Sequence, residues 1–244
     1  MCFSVQVDKD LKKIAKRFHA EISKQDFDQL QHLQKLEQSM SSEELKIEMG
    51  LKRKPSSSLF KEADEHGRIY PNSFAPVIVW ENNKRLIKPM RYRVRPAHSK
   101  QEIPSKYNVF NARLDSLEKR KTWQSLFMKK HALFPFVRFY EWVENPQGKS
   151  QLISFAPENR AIMWAPALYD NWVSADKKIQ FASFAIITND PPPEVAEMGH
   201  DRCPIFLNEN SIDQWLQPEK NNKQKMYELL KILEPVYFNS QKVS

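Results

Sequence analysis

The sequence predicts a mixed α+β fold, and three observations carry that expectation. Residues 3 to 7, Phe3-Ser4-Val5-Gln6-Val7, alternate apolar and polar as a half-buried strand does. Between residues 11 and 36 the apolar side chains recur at helical spacing. From Tyr70 onward the character turns to β, with many short apolar runs and helical stretches set between them.

Taken in order, Asp8 or Asp10 is placed to cap a first helix whose apolar face is Leu11, Ile14, Phe18 and Ile22. A second helix carries Phe27, Leu30, Leu33 and Leu36, with Gln, Lys and Glu on a solvated outer face. Met40 to Ser58 mixes a short helical pattern with the loop-like run Lys52 to Ser58. Ala75 to Trp80 and Leu86 to Val94 read as strands, and 95 to 106, with its two prolines, as a surface loop. The spacing of Leu114, Leu117, Leu126 and Phe127 predicts a helix over 114–130. Strands are expected at 132–143, 151–156, 161–165 and 181–188, after which Pro191-Pro192-Pro193 breaks the chain. Asn208 or Asn210 opens a helix holding Ile212, Trp215 and Leu216, and another is expected near 223–233. There are no internal repeats, and the whole is expected to be one domain with a polar helical insertion at about 9–65.

Composition narrows the function classes. Of 244 residues, 41% are hydrophobic and 11% aromatic, enough to build a core. No apolar run approaches the ~20 residues of a membrane helix, and the N-terminus lacks the apolar stretch of a signal peptide. A cytoplasmic protein, nucleoid-associated in a bacterium, is therefore expected, without a membrane partner. Lys plus Arg number 38 against 30 acids, a net charge of +8, and the pI is near 9.3. That balance favours an anionic partner such as nucleic acid, although it also serves plain solubility. Cys2 and Cys203 are the only cysteines, too few for a disulfide framework or a four-cysteine zinc site. The six histidines include no pair four residues apart, and the four glycines form neither a Walker A loop nor a dinucleotide fingerprint.

Four places could carry chemistry. Cys2, once Met1 is trimmed, is a 1,2-aminothiol, which takes an aldehyde first as a Schiff base and then as a thiazolidine ring. Its α-amine and thiol have reference pKa values of ~7.7–8.0 and ~8.5, so a nearby base would help. The plainer reading is a small residue opening a strand. Glu141 stands among Phe139, Tyr140 and Trp142, where it is either desolvated toward an acid–base role or turned to water. His200-Asp201-Arg202 sets a neutral-pH titrating ring beside a carboxylate and a guanidinium. Alternatively Arg202 pairs with Asp201 and leaves His200 a bystander. Asn111 can orient an amine, and Arg113 suits a phosphate. A fifth feature is electrostatic: Arg91, Arg93 and Arg95 alternate on one strand face around Tyr92, as a phosphate stripe or as a charged, protected edge.

Together and in this order, these segments resemble the SRAP (SOS-response-associated peptidase) family. The resemblance runs through Cys2, Tyr70 to Val79 ending Ala-Pro-Val-Ile-Val, Asn111-Ala112-Arg113, Phe139-Tyr140-Glu141-Trp142, Phe184-Ala185-Ile186-Ile187-Thr188, and His200-Asp201-Arg202 with Pro204. It covers most of residues 1–7 and 66–216. It implies a single α+β domain with a twisted, barrel-like, mainly antiparallel sheet, peripheral helices and a positive groove for single-stranded DNA. It implies further that Cys2 forms a thiazolidine crosslink with the ring-opened sugar of an abasic site, protecting damaged DNA. Asn111 would position the N-terminus, Glu141 would act as acid–base group, and His200 would assist proton transfer. Arg113, Arg202, Arg91, Arg93 and Tyr92 would contact DNA. This aldehyde chemistry uses only protein groups, so no cofactor or metal is expected, and a monomer is expected. The family name implies self-removal of N-terminal residues. A thiol-dependent peptidase using Cys2 and a noncovalent single-strand-binding module are the alternatives. The chain departs from the family in having Phe3-Ser4 for Gly-Arg, and Tyr92-Arg93-Val94 for Trp-Gly-Leu.

Overall fold

In the computed structural model, residues 4–144, 147–219 and 222–243 are described. Strand β1 is Ser4–Gln6. Asp10 caps helix α1 (Leu11–Phe18), its carboxylate accepting from the amides of Lys12 and Lys13 at 2.9 and 3.2 Å. His19 closes α1 in the left-handed conformation. The helix therefore stops short of Ile22, which lies on the two-residue strand β2 (Glu21–Ile22) and is 38% exposed, not on the apolar face of α1. Helix α2 (Lys24–Ser39) buries Leu30 and Leu33, each contributing roughly 1.5–3 kcal/mol. Helix α3 (Ser42–Glu48) starts with a reciprocal Ser41–Glu44 capping box. As expected, residues 52–58 are without helix or strand.

The strands β3 (Arg68–Ile69), β4 (Phe74–Glu81), β5 (Lys84–Tyr92) and β6 (Asn111–Arg113) come next. The helix expected over 114–130 is not continuous. A 3-10 turn at Leu114–Ser116 and a single-turn helix α4 (Lys121–Gln124) replace it, with Arg120 extended between them. The apolar spacing from Leu117 to Trp123 skips a helical turn, and burying both side chains breaks the helix there. The strand expected over 132–143 is two: β7 (His131–Phe136) and β8 (Arg138–Glu144). Between them the amide of Val137 donates to Gln6 O at 2.8 Å, and the chain passes from one sheet to the other. Then follow β9 (Ser150–Pro157), β10 (Met163–Val173), β11 (Gln180–Asn189), α5 (Pro193–Glu197), β12 (Cys203–Pro204), α6 (Ile212–Leu216), α7 (Lys223–Leu229) and β13 (Phe238–Val243).

Five strands close on themselves. Strand β4 pairs with β5, β5 with β11, β11 with β10, β10 with β7, and β7 with β4 again through Ile78 and Leu133. Only β5–β11 is parallel within this circuit. A second sheet runs β13-β9-β8-β1-β3. Alternate barrel residues feed two clusters, which explains why runs such as Phe184 to Ile187 are apolar at every position. Val77, Val79, Phe134, Phe136, Phe184 and Ile186 pack with Val5, Phe139 and Phe155 of the second sheet. Ile78, Leu133, Ala185 and Ile187 pack under α1, α6 and α7. Leu30 and Leu33 of α2 cover Phe74, Trp172 and Phe181 in a third cluster. Among the described residues no helix is long and apolar enough to cross a membrane.

Candidate functional site

The pleat of β8 decides the orientation of Glu141. Phe139 stacks inward on Phe155 at 4.9 Å, so by two-residue periodicity Glu141 and Val143 also point inward, while Trp142 is 53% exposed. Glu141 is only 1% exposed, and a buried carboxylate is costly unless it is paired and hydrogen-bonded. His200 answers it: Nε2 lies 3.0 Å from Glu141 Oε2. Gly199, at a φ of +87°, turns the chain after α5 and delivers His200 just ahead of β12. The other ring nitrogen, Nδ1, sits 2.8 Å from Arg202 O and 3.2 Å from Arg202 N.

That geometry is compatible with either tautomer of the ring. When Nδ1 accepts from the Arg202 amide, Nε2–H donates to Glu141. When Nδ1–H donates to the Arg202 carbonyl, the Nε2–Oε2 contact itself requires a proton between the two atoms. In both tautomers the imidazole is held against a buried carboxylate inside the protein. Arg202 holds the ring through its backbone, and its guanidinium pairs with Asp190 at 2.6 Å, not with Asp201. His200 is thus paired with Glu141, and the expected Arg202–Asp201 pair does not form.

Strand β11 gathers the other residues. Asn111 lies opposite Ile186, and Arg113 opposite Thr188, which on its other side faces Pro204 of β12. Asn111 is buried, and its Oδ1 accepts from the hydroxyl of Tyr92 at 3.2 Å. An Asx turn starts β6, Asn108 Oδ1 accepting from the amides of Phe110 and Asn111 at 3.2 and 3.0 Å. Arg113 reaches the surface and is held in a fork by Asp115 at 2.7 and 3.1 Å, which keeps the guanidinium pKa raised. Sequence reading named Thr188 only as the end of the Phe184–Thr188 segment and gave it no role. Its hydroxyl is fully buried with no hydrogen-bond partner among the described residues, and the only sequence signal is a polar residue ending an apolar run. Cys203 is buried as well; burial, then the charge of Glu141, pushes its thiol well above the ordinary value. Cys2 lies outside the described residues.

The expected phosphate stripe is corrected by the structure. Arg91, Arg93 and Arg95 do share one side of the chain, but they are 3%, 4% and 0% exposed. Glu102, from the 95–106 loop, folds over them and pairs with all three, at 2.8, 3.0 and 3.4 Å. Arg95 also stacks 3.4 Å above Trp172, and Arg91 lies over Phe181. Tyr92 is fully buried against Phe110, Phe134 and Phe184, so it offers no face to a base. Arg93 has a φ of +152°, a conformation suited to glycine. Bonds from its amide to Phe184 O (3.0 Å) and from its guanidinium to Ile103 O and Pro104 O (2.7 and 3.0 Å) hold it there.

A closed barrel with an attached antiparallel sheet, carrying a buried carboxylate–imidazole pair where the two meet, defines the class of α+β protein to which this chain conforms. Solved structures share that fold. A protein from Bacteroides thetaiotaomicron superposes with a TM-score of 0.70 at 17% identity, over 100% of this chain and 92% of the other. One from Bordetella bronchiseptica gives 0.67 at 16% identity over the full length of both. At such identities the likeness is one of fold. The profile of the SOS response associated peptidase (SRAP) family matches residues 1–244, and the chain belongs to that family. Among curated relatives it is 27% identical over 150 residues to abasic site processing protein YoqW of Bacillus subtilis, 61% of this chain and 65% of that protein. It is 29% identical over 176 residues to abasic site processing protein YMR114C of Saccharomyces cerevisiae, 71% of this chain and 45% of the relative. To abasic site processing protein HMCES of Pongo abelii it is 25% identical over 207 residues, 70% and 58% of the two. The matched part spans less than two thirds of each of these relatives.

Proposed function

We propose that this protein processes abasic sites in single-stranded DNA by covalent capture, with Cys2 forming a thiazolidine with the ring-opened sugar. The observation that carries this reading is the buried Glu141–His200 pair, which sets a carboxylate oxygen 3.0 Å from an imidazole nitrogen, two groups able to exchange a proton. The names of the curated relatives support the substrate class.

The chemistry balances with protein groups alone. Removal of Met1 frees the α-amine of Cys2, which adds to the sugar aldehyde. Loss of one water then gives the imine. The Cys2 thiol adds across that C=N bond, closing a five-membered ring and leaving the nitrogen as a secondary amine. Proton transfers at the carbinolamine hydroxyl and at the nitrogen are the work of Glu141, relayed by His200. Asn111 orients the N-terminus, and Arg113 and Arg202 take phosphates by exchanging their carboxylate partners for the DNA backbone. Cys203 is unsuited to the nucleophile's part, since burial holds it as the thiol.

Intact-protein mass spectrometry before and after incubation with an oligonucleotide carrying one abasic site tests this reading. A mass lacking Met1, followed by an adduct of oligonucleotide mass less one water localised to Cys2, supports it. A trimmed protein that forms no adduct sinks it.

A further inference from the structure

We propose that Arg68 is a phosphate-contacting residue for the single strand held at Cys2; this rests on the reading above. Strand β3 is two residues long and lies antiparallel to β1, with Arg68 opposite Gln6 and Ile69 opposite Val5. Its position is set by the turn before it. Asp64 Oδ1 accepts from the amides of His66 and Arg68 at 3.0 and 2.8 Å. Gly67, at a φ of +79°, comes so close to β1 that a Cβ would stand 2.4 Å from Val7 O. Only glycine permits that approach, and the approach lays the Arg68 side chain across β1.

There the guanidinium is fixed but not neutralised. Its Nε and Nη2 donate to Ser4 Oγ at 3.0 and 2.8 Å, and its Cζ lies 3.9 Å from the Tyr140 ring centroid. Among the described residues no carboxylate forms an ion pair with it, whereas Arg91, Arg93, Arg95, Arg113 and Arg202 each have one. Hydroxyl and ring partners orient the group while leaving its charge, and the Nη1 edge, for an anion. Proximity follows from the chain itself. Ser4 is two residues from Cys2, at most about 7 Å of extended backbone. A strand joined to Cys2 therefore has its flanking phosphates within reach of a side chain anchored on Ser4.

The test is fluorescence anisotropy of a labelled undamaged 20-nucleotide single strand, over a salt series, with wild-type protein, Arg68→Gln and Arg68→Lys. Thermal melting of each variant confirms that it is folded. Arg68→Gln is expected to bind ~3–10-fold more weakly at low salt and to lower the slope of log K against log salt by about 0.7; Arg68→Lys is expected to keep the slope. Unchanged affinity and slope in Arg68→Gln overturn the proposal, as does an equal loss in both variants, which marks a structural role. Adduct formation with an abasic oligonucleotide is scored in parallel. A wild-type adduct with no effect of Arg68→Gln removes only the Arg68 assignment; weakened binding without any adduct removes only the capture chemistry.

Discussion

The carboxylate of Glu141 meets the imidazole of His200 at 3.0 Å across the junction of the two sheets. Glu141 belongs to β8 of the five-stranded sheet, and His200 leads into β12 on the barrel's sheet. Neither element alone makes the site. The pair depends on how the chain leaves β7 at Val137 and on the turn at Gly199.

Glu141→Gln keeps the shape of the side chain and removes its capacity to take a proton. The rate of adduct formation is expected to fall ~100-fold or more, the usual weight of a general acid–base group. His200→Ala is expected to slow the reaction and also its reversal. Quenched-flow sampling with gel separation of free and crosslinked oligonucleotide reads both rates. Rates within twofold of wild type for Glu141→Gln would remove Glu141 from the chemistry.

The two cysteines are expected to separate cleanly. Cys2→Ala abolishes the adduct and leaves noncovalent binding of an undamaged strand within about twofold. Cys203→Ser retains the adduct but loses on the order of 1–2 kcal/mol of stability, because a hydroxyl replaces a thiol in an apolar cluster. Denaturant titration beside the crosslinking assay checks both statements.

Much of this was readable in the residues, and the failures share a cause. Alternation and apolar runs located β4, β5 and β11, and of the two cap candidates, Asp8 and Asp10, the second starts α1. What eluded the sequence was long-range. The exposed-stripe reading of Arg91 and Arg93 failed because Glu102, about ten residues further on, folds back over them. The 114–130 helix failed because Leu117 and Trp123 are pulled into one cluster out of helical register. Glu141 and His200 were each singled out, but their contact spans 59 positions, which no local pattern encodes.

Glu102 is expected to be among the costliest surface-loop residues to alter. Burial alone would raise its pKa, yet the three guanidinia, Arg91 foremost, hold it below the ordinary value. Glu102→Gln leaves three buried cations without a counterion and is expected to cost ~3–5 kcal/mol. Because the folded pKa is depressed, this contribution is complete above the unfolded value of ~4.3 and is lost as pH falls below it. Urea midpoints for wild type and variant at pH 7 measure the loss; a difference under about 1 kcal/mol would contradict the pairing.

His131 gives the fold a second acid sensitivity, in a different pH window. The ring is 3% exposed and stacks 3.8 Å from Trp215. Its Nδ1–H donates to Trp215 O at 2.7 Å, and its Nε2 accepts from the amide of Met128 at 3.1 Å. A proton on Nε2 would set one donor against another in a site without water-like compensation. Burial accordingly pulls the pKa down to about 4, against the opposing effect of the Trp215 carbonyl. The unfolded chain, with a histidine near 6.5, takes up its proton first as pH falls. Stability is therefore whole above ~6.5, declines between ~6.5 and 4, and the total loss approaches about 3 kcal/mol. Urea titrations of wild type and His131→Asn at pH 7.5, 5.5 and 4.5 isolate the effect. The variant is less stable at pH 7.5 but is expected to lose little more on acidification to 4.5. Parallel pH slopes in the two proteins would place the acid sensitivity on another group.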